Sequence, residues 1–203
     1  MAGRTYRVYD ISQEVFSCEV YPGDPKPERR VMCDMNAGEP YNLTAFSMCA
    51  HNGTHIDAPR HFLRDGATVE QIPSEKTVGW CYVASHKGEV SAVDARAMLT
   101  RAAALCAEAS KKILIKGNSV VTSEAAEVFA AAGCDLIGNE SQSVGPVDAP
   151  MQVHLILLGA EVVLLEGIRL GEAEQGVYWL NAAPLKLGGA EGAPCRATLT
   201  QIQ

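Results

Sequence analysis

Potential metal ligands crowd one short stretch of the chain, CAHNGTHIDAPRHF, which places His51, His55, Asp57 and His61 within eleven residues. Two imidazoles and a carboxylate form a nitrogen and oxygen donor set suited to Zn²⁺, Mn²⁺ or Fe²⁺, with room for water where the site is catalytic. A helix would put His51 and His55 on one face, as in the HExxH zinc proteases. Against that reading, Gly53 and the missing glutamate after His51 weaken the pattern, Asp57 falls well round the cylinder, and Pro59 stops the helix. An extended reading fits better. Positions 51, 55 and 57 share parity and would project to one side of a strand that runs into a loop at Pro59. Four polar groups packed this closely are costly to bury unpaired, which favours a metal site over solvated loop histidines.

A second candidate region lies about a hundred residues on, in VHLILLGAEVVLLEG. His154 sits on an otherwise apolar helix, and Glu166 ends an otherwise apolar strand. Alone, the pair would read as a core histidine and a solvated acid. A helix followed by a strand returns the chain to one edge of a sheet, however, where the two could complete a metal shell. Glu161, in the intervening turn, is expected to be exposed.

The elements that must hold these groups fall into two styles. In the first half, TYRVYDIS, EVFSCEV, RRVMCDM and GEPYNLTAFSMCA read as short strands broken by turn chemistry such as PGDPKPE, which suggests an antiparallel or mixed sheet. The second half alternates strand and helix. Ser91 with Asp94 forms a capping-box variant that opens SAVDARAMLTRAAALC, and KKILIKG follows as a buried strand. Ser123 opens SEAAEVFAAAG, a helix closed by Gly133, and CDLIG is a further strand. Asp148 and Pro150 stand where an N-cap and a first-turn proline belong, ahead of MQVHLILLG and the strand VVLLEGI. The chain therefore reads as a single α/β domain over 1–203, parallel in its second half.

With these residues in place, HNGTHIDAPRHF resembles the HxGTHxDxPxHF signature of the cyclase family of metal-dependent hydrolases, which includes bacterial kynurenine formamidases and isatin hydrolases. LIGNESQSVGP is similar to the family's strand-and-serine segment, and His154 and Glu166 stand twelve apart as the family's distal pair does. The likeness runs from about Asp10 to Glu166. It implies a swivelling β/β/α domain with a mixed sheet and flanking helices, assembled as a homodimer or higher homo-oligomer. It also implies one or two divalent metals per chain, Zn²⁺ or Mn²⁺. His51 and His55 would hold one, Asp57 and Glu166 could bridge two, and His154 would complete the second. His61 would serve as general acid/base, and Tyr21, in VYPGDP where kynurenine formamidases carry tryptophan, would line the substrate pocket. Glu140 stands where many relatives have aspartate.

The chemistry expected is hydrolysis of a small amide, aryl-formamide or cyclic-amide C–N bond, with His61 moving the proton. The alternatives are an ester or lactone hydrolase and a non-catalytic module that binds metal or a small molecule on the same fold. Other signals carry less. Cys49 lies two residues before His51, but a structural thiol is the commoner case. Ser141 and Ser143 do not fit GxSxG, and neither GxGxxG nor GxxxxGK[ST] occurs. His86 reads as a surface turn residue, and Trp80 and Trp179 as core or interface.

Composition bounds the rest. The 203 residues are 47% hydrophobic and 20% charged, enough for one packed core, and the formal charge of -7 argues against a nucleic-acid partner. No stretch has the roughly 18 apolar residues of a membrane helix, and MAGRTYRVYDIS lacks the apolar core of a secretory signal, so a cytoplasmic location is expected. The seven cysteines form no CxxC pair, so reduced, mostly buried thiols are expected.

Overall fold

The computed structural model describes residues 6–202. In chain order its strands are β1 (Tyr6–Asp10), β2 (Glu28–Cys33), β3 (Leu43–Ser47), β4 (His55–Asp57), β5 (Val78–Ser85), β6 (Gly88–Val90), β7 (Lys112–Lys116), β8 (Ser119–Val121), β9 (Leu136–Asn139), β10 (Val163–Glu166), β11 (Gly176–Asn181), β12 (Gly192–Pro194) and β13 (Thr198–Ile202). The helices are α1 (Ser74–Thr77), α2 (Ala92–Leu105), α3 (Ser123–Ala131) and α4 (Met151–Gly159).

Nine strands form one sheet in the order β1-β13-β11-β5-β7-β9-β10-β4-β12. Its centre, β5, β7, β9 and β10, is parallel, and the strands beyond it on both sides are antiparallel. This is the mixed α/β sheet the sequence implies. Alternation assigns its faces. Tyr82, Ile113, Ile115, Ile137 and Leu164 pack under Met98 of α2, Phe129 of α3 and Leu157 of α4. Cys81, Val83, Leu114, Leu136 and Leu165 face the other way, against Tyr9, Ile168, Leu170 and Tyr178. The helices thus cover one face only, and the curled sheet and its loops fill the other.

The local signals of the second half hold. Ser91 accepts from the Asp94 backbone N–H while Asp94 bonds back to Ser91, the reciprocal cap that starts α2. Ser123 opens α3 as read, and Thr122 before it is the N-cap, accepting from the Ala125 N–H. Pro150 itself occupies the N-cap of α4, and Asp148 does not cap it. Glu161 is exposed in the turn after α4, and His86 bonds the Glu89 carbonyl in a turn.

The first half departs further. EVFSCEV is a turn, because the Glu14 carboxylate accepts the backbone N–H groups of Phe16 and Ser17 and curls the chain. Strand β2 pairs only with β3, as a separate antiparallel ribbon, and β1 joins the far end of the chain at β13. The strand read from Thr5 is described from Tyr6 onward, and Thr5 lies outside the described residues. All seven cysteines are free, but only Cys81 and Cys134 are buried and the rest are half-buried. No helix among the described residues is long and apolar enough to cross a membrane.

Glu140, just past β9, ties two loops beside the sheet. Its carboxylate accepts from Gly117 N at 2.6 Å and Leu170 N at 2.8 Å. Glu140→Ala should strip both donors of their partner and lower stability by about 1–3 kcal/mol, read as a shifted denaturation midpoint at unchanged slope. An unshifted midpoint would show that water replaces the carboxylate at no cost.

Candidate metal centre

Register builds the centre. In the antiparallel pair β10·β4, Glu166 lies opposite His55 and Leu164 opposite Asp57, so all four share a face. That face is the helical one, since Leu164 packs there while Ile56 and Leu165 point to the opposite core. Helix α4 crosses the same face and buries His154 beside Val153, Leu157 and Leu158. Two strands and a helix thereby bring His55, Asp57, His154 and Glu166 together.

The two carboxylates are the most deeply placed charges, with Asp57 0% and Glu166 3% exposed. His55 Nε2 lies 3.3 Å from Asp57 Oδ1 and 3.5 Å from Glu166 Oε2. His154 Nε2 lies 3.5 Å from Asp57 Oδ2 and 3.3 Å from Glu166 Oε1. Each carboxylate thus turns one oxygen to each imidazole. Val144 N donates to Glu166 Oε1 at 2.7 Å and fixes that side chain.

The tautomers follow from what holds the rings. His55 Nδ1 is 3.1 Å from the Gly53 carbonyl, and His154 Nδ1 is 2.9 Å from that of Pro150. A carbonyl only accepts, so Nδ1 carries the proton and the neutral ring turns its Nε2 lone pair toward the carboxylates. Lone pair and carboxylate oxygen repel unless a proton or a cation lies between them. Burial opposes protonation of His55 and His154, yet Asp57 and Glu166 outweigh it and raise both to about 10. Burial also opposes ionisation of Asp57, but the surrounding imidazoles hold it well below the usual carboxylate range.

A divalent cation fits these residues better than protons do. Charge-assisted N–H to carboxylate bonds are about 2.7–2.9 Å, shorter than the four contacts above. Donors bound at about 2.0–2.2 Å around one tetrahedral ion stand roughly 3.4 Å apart. His55 Nε2 and Asp57 Oδ2 are moreover buried with no hydrogen-bond partner.

His51 arrives differently from the expected strand. Strand β4 begins only at His55, and His51 lies in a turn closed by the Asn52 N–H on the Cys49 carbonyl, with Gly53 at a φ of 68°. Glycine is required there because a side chain in that left-handed region is strained. The turn swings His51 back until its Nδ1 meets Asp57 Oδ1 at 2.8 Å. Its ring fits only because residue 192 lacks a side chain, since a Cβ there would lie 2.7 Å from His51 Cε1. His51 Nε2 has no hydrogen-bond partner and stands 3.4 Å from Glu191 Oε1.

His61 stacks on His51 at 4.1 Å between centroids and meets the edge of Phe62. Its ligand atoms lie within 4.8 Å of those of His51 and Asp57. Alone of the four histidines it has no carboxylate within ion-pair distance among the described residues. Burial lowers its pKa, Asp57 opposing and His51 and His154 assisting.

His51, His61, His154 and Glu166 line a cleft of about 400 Å³, with Tyr21, Asp24, Gln142, Ser143 and Glu191 among its other walls. Tyr21 donates its hydroxyl to the Val147 carbonyl at the cleft wall. Cys49 also lines the cleft, and burial raises its thiol pKa, which argues against a thiolate. A larger hollow of about 810 Å³, between Gln13, Phe46 and Arg196, contains no histidine. Of the sequence candidates, His51, His55, Asp57, His61, His154, Glu166 and Tyr21 are all brought to one place. Glu191, Gly192, Gln142 and Asp24 were not among them. Glu191 reaches the site through the pairing of β12 with β4, for which no local sequence signal exists.

Fold and site together define a curled mixed-sheet α/β protein with a buried His/Asp/Glu centre suited to a divalent cation. The family model for the cyclases matches residues 9–146, and the chain belongs to that family. The chain is 30% identical to the kynurenine formamidase of Sphingopyxis alaskensis, over 97% of this chain and 99% of that one. It is 31% identical to that of Salinibacter ruber, over 94% and 95%. Among solved structures, one described as a potential metal-dependent hydrolase with cyclase activity aligns with a TM-score of 0.77 and 26% identity, covering 97% of this chain and 98% of that one. Isatin hydrolase A from Labrenzia aggregata shares the fold, with a TM-score of 0.80 at 19% identity over 98% and 94% of the two chains.

Asp57 touches all three pinned imidazoles, so its charge is the most exposed to test. Asp57→Asn should abolish uptake of Zn²⁺ or Mn²⁺ in elemental analysis. It should also remove the rise in melting temperature on metal addition, which for the wild type corresponds to about 2.7 kcal/mol at a hundredfold excess over Kd. Undiminished metal content in the variant would take Asp57 out of the ligand set.

Proposed function

We propose that the chain is a metal-dependent hydrolase of a small amide, of the aryl-formamide or cyclic-amide class. The observation that carries the reading is a division among the histidines. His51, His55 and His154 each have a carboxylate within ion-pair distance, whereas His61, in the cleft beside them, has none that near among the described residues. The kynurenine formamidase relatives support the choice of a non-peptide C–N bond.

His55, Asp57, His154 and Glu166, with His51 beside them, would hold one or two ions of Zn²⁺ or Mn²⁺. When bound, such a cation supplies Lewis acidity toward a carbonyl and acidifies water from about 15.7 toward 7. The protein's own part is positioning and proton transfer. Gly53 and Pro150 carbonyls fix two imidazoles in the tautomer that presents Nε2. Asp57 and Glu166 carry the compensating charge. Phe62 and Pro150 give the cleft apolar wall beside His61 and His154. Tyr21, anchored to Val147, forms the side of the substrate pocket. His61 takes a proton from the attacking water and returns it to the departing nitrogen, so that the amine leaves neutral.

Assembly as a homodimer or larger homo-oligomer belongs to the same reading. Its support is the β2–β3 ribbon, which stands off the main sheet with Val31 and Phe46 each 58% exposed. A lone two-stranded ribbon with apolar faces gains stability only by being covered. Sedimentation should return a species of at least two chains, and a 21.6 kDa monomer at working concentration would remove this part.

His61→Ala should reduce turnover of an aryl formamide or of isatin by about 10²–10⁴-fold, with metal content unchanged. Full activity in that variant would refute the assigned base. Wild-type protein that binds metal yet cleaves no amide, ester or lactone would instead identify a binding module.

A further inference from the structure

Two donors in the cleft have no task in the scheme above. Ser143 is 2% exposed, and its Oγ is buried without a hydrogen-bond partner. Gln142 Nε2 is likewise buried and unpartnered. Both residues line the cleft that holds His61, His154 and Glu166. Buried polar atoms left in this state cost stability, so a pair of them beside a candidate active site calls for an occupant.

Their segment is held by its backbone. The Ser143 carbonyl accepts from Asn139 Nδ2, Val144 N donates to Glu166 Oε1, and the Val144 carbonyl accepts from Val121 N. Because the main chain is committed, the two side chains remain as the groups available to a ligand. A primary amide nitrogen only donates, and a hydroxyl can donate, so the matching ligand atom is an acceptor. Asp24 and Glu191, the carboxylates of the cleft wall outside the proposed ligand set, would repel an anionic acceptor. A neutral carbonyl oxygen meets both conditions.

We propose that Gln142 and Ser143 form a two-donor clamp for a neutral carbonyl oxygen of the bound amide, setting its orientation in the cleft. The inference rests on the hydrolase reading for the nature of the ligand. It names a substrate feature, a carbonyl acceptor on an uncharged group, that the metal ligands alone do not select. A pocket built to satisfy such donors discriminates strongly against analogues that lack the acceptor, because the donors are then left unpaired.

The test compares two probes of similar shape on metal-loaded protein, 2-aminoacetophenone, which carries a ketone, and 2-ethylaniline, which does not. Calorimetry should show the wild type preferring the ketone by about tenfold. Gln142→Leu and Ser143→Ala should each shrink that preference several-fold while leaving 2-ethylaniline binding unchanged. Gln142→Glu should weaken the ketone beyond Gln142→Leu, since an acceptor then faces an acceptor. That ordering is one that loosened packing would not produce. A wild-type preference retained in both single variants, or absent in the wild type, would overturn the clamp. Binding needs no turnover, so an inactive wild type with the ketone preference intact would sink the hydrolase reading and leave the clamp standing.

Discussion

Everything in the centre depends on two carboxylates that the fold has removed from water. Asp57 and Glu166 sit between the sheet and α4, where an isolated charge would cost several kcal/mol and two like charges more. The protein answers with imidazoles whose far nitrogens are already occupied by carbonyls, so that each can offer only Nε2. Protons and a divalent cation compete for those same lone pairs. The long nitrogen–oxygen separations favour the cation, because a proton bridges best at a distance shorter than the rigid strands and helix permit.

Rigidity is therefore part of the chemistry. His55, Asp57 and Glu166 come from two adjacent strands in fixed register, and His154 from a helix whose neighbours Leu157 and Leu158 are wholly buried. Around them the loops are secured by bonds that have nothing to do with catalysis. Thr54 donates to the Gly167 carbonyl, Gln13 reaches the same carbonyl, and Glu140 ties the turn at Gly117 to Leu170. Donor atoms held this way need little reorganisation when an ion arrives.

The parts legible in the sequence are those whose cause is local. A serine and aspartate three apart make the cap of α2 wherever the helix packs, and the apolar runs KILIK and VVLLE leave few fates but a buried central strand. The clustering of HNGTHID was legible because three potential ligands fall in a few residues. What failed was non-local or contested. Strand β4 is three residues long, and nothing near it announces that β10 and β12 flank it. Glu191 and Gly192 enter through that pairing alone. EVFSCEV has the alternation of a strand, but Glu14 offers its backbone a competing set of hydrogen bonds, and the turn wins. The pairing of β1 with β13 joins opposite ends of the chain, which no local window can contain.

The contrast between His61 and the other histidines has a physical basis in how each ring is oriented. For His55 and His154 a hydrogen bond from Nδ1 to a backbone carbonyl fixes the tautomer and aims Nε2 at the carboxylates, the arrangement that suits a metal ligand. The backbone of His61 is secured instead, in the turn Pro59–His61, where its N–H bonds the Ala58 carbonyl and Arg60 N bonds Ala67 O. Its ring is then oriented by stacking on His51 and by the edge of Phe62. Stacking holds the plane of an imidazole without choosing which nitrogen is protonated. The short stretch from His55 to His61 thus holds one imidazole by a hydrogen bond and another by contact alone, the difference on which the proposed division between ligand and base rests.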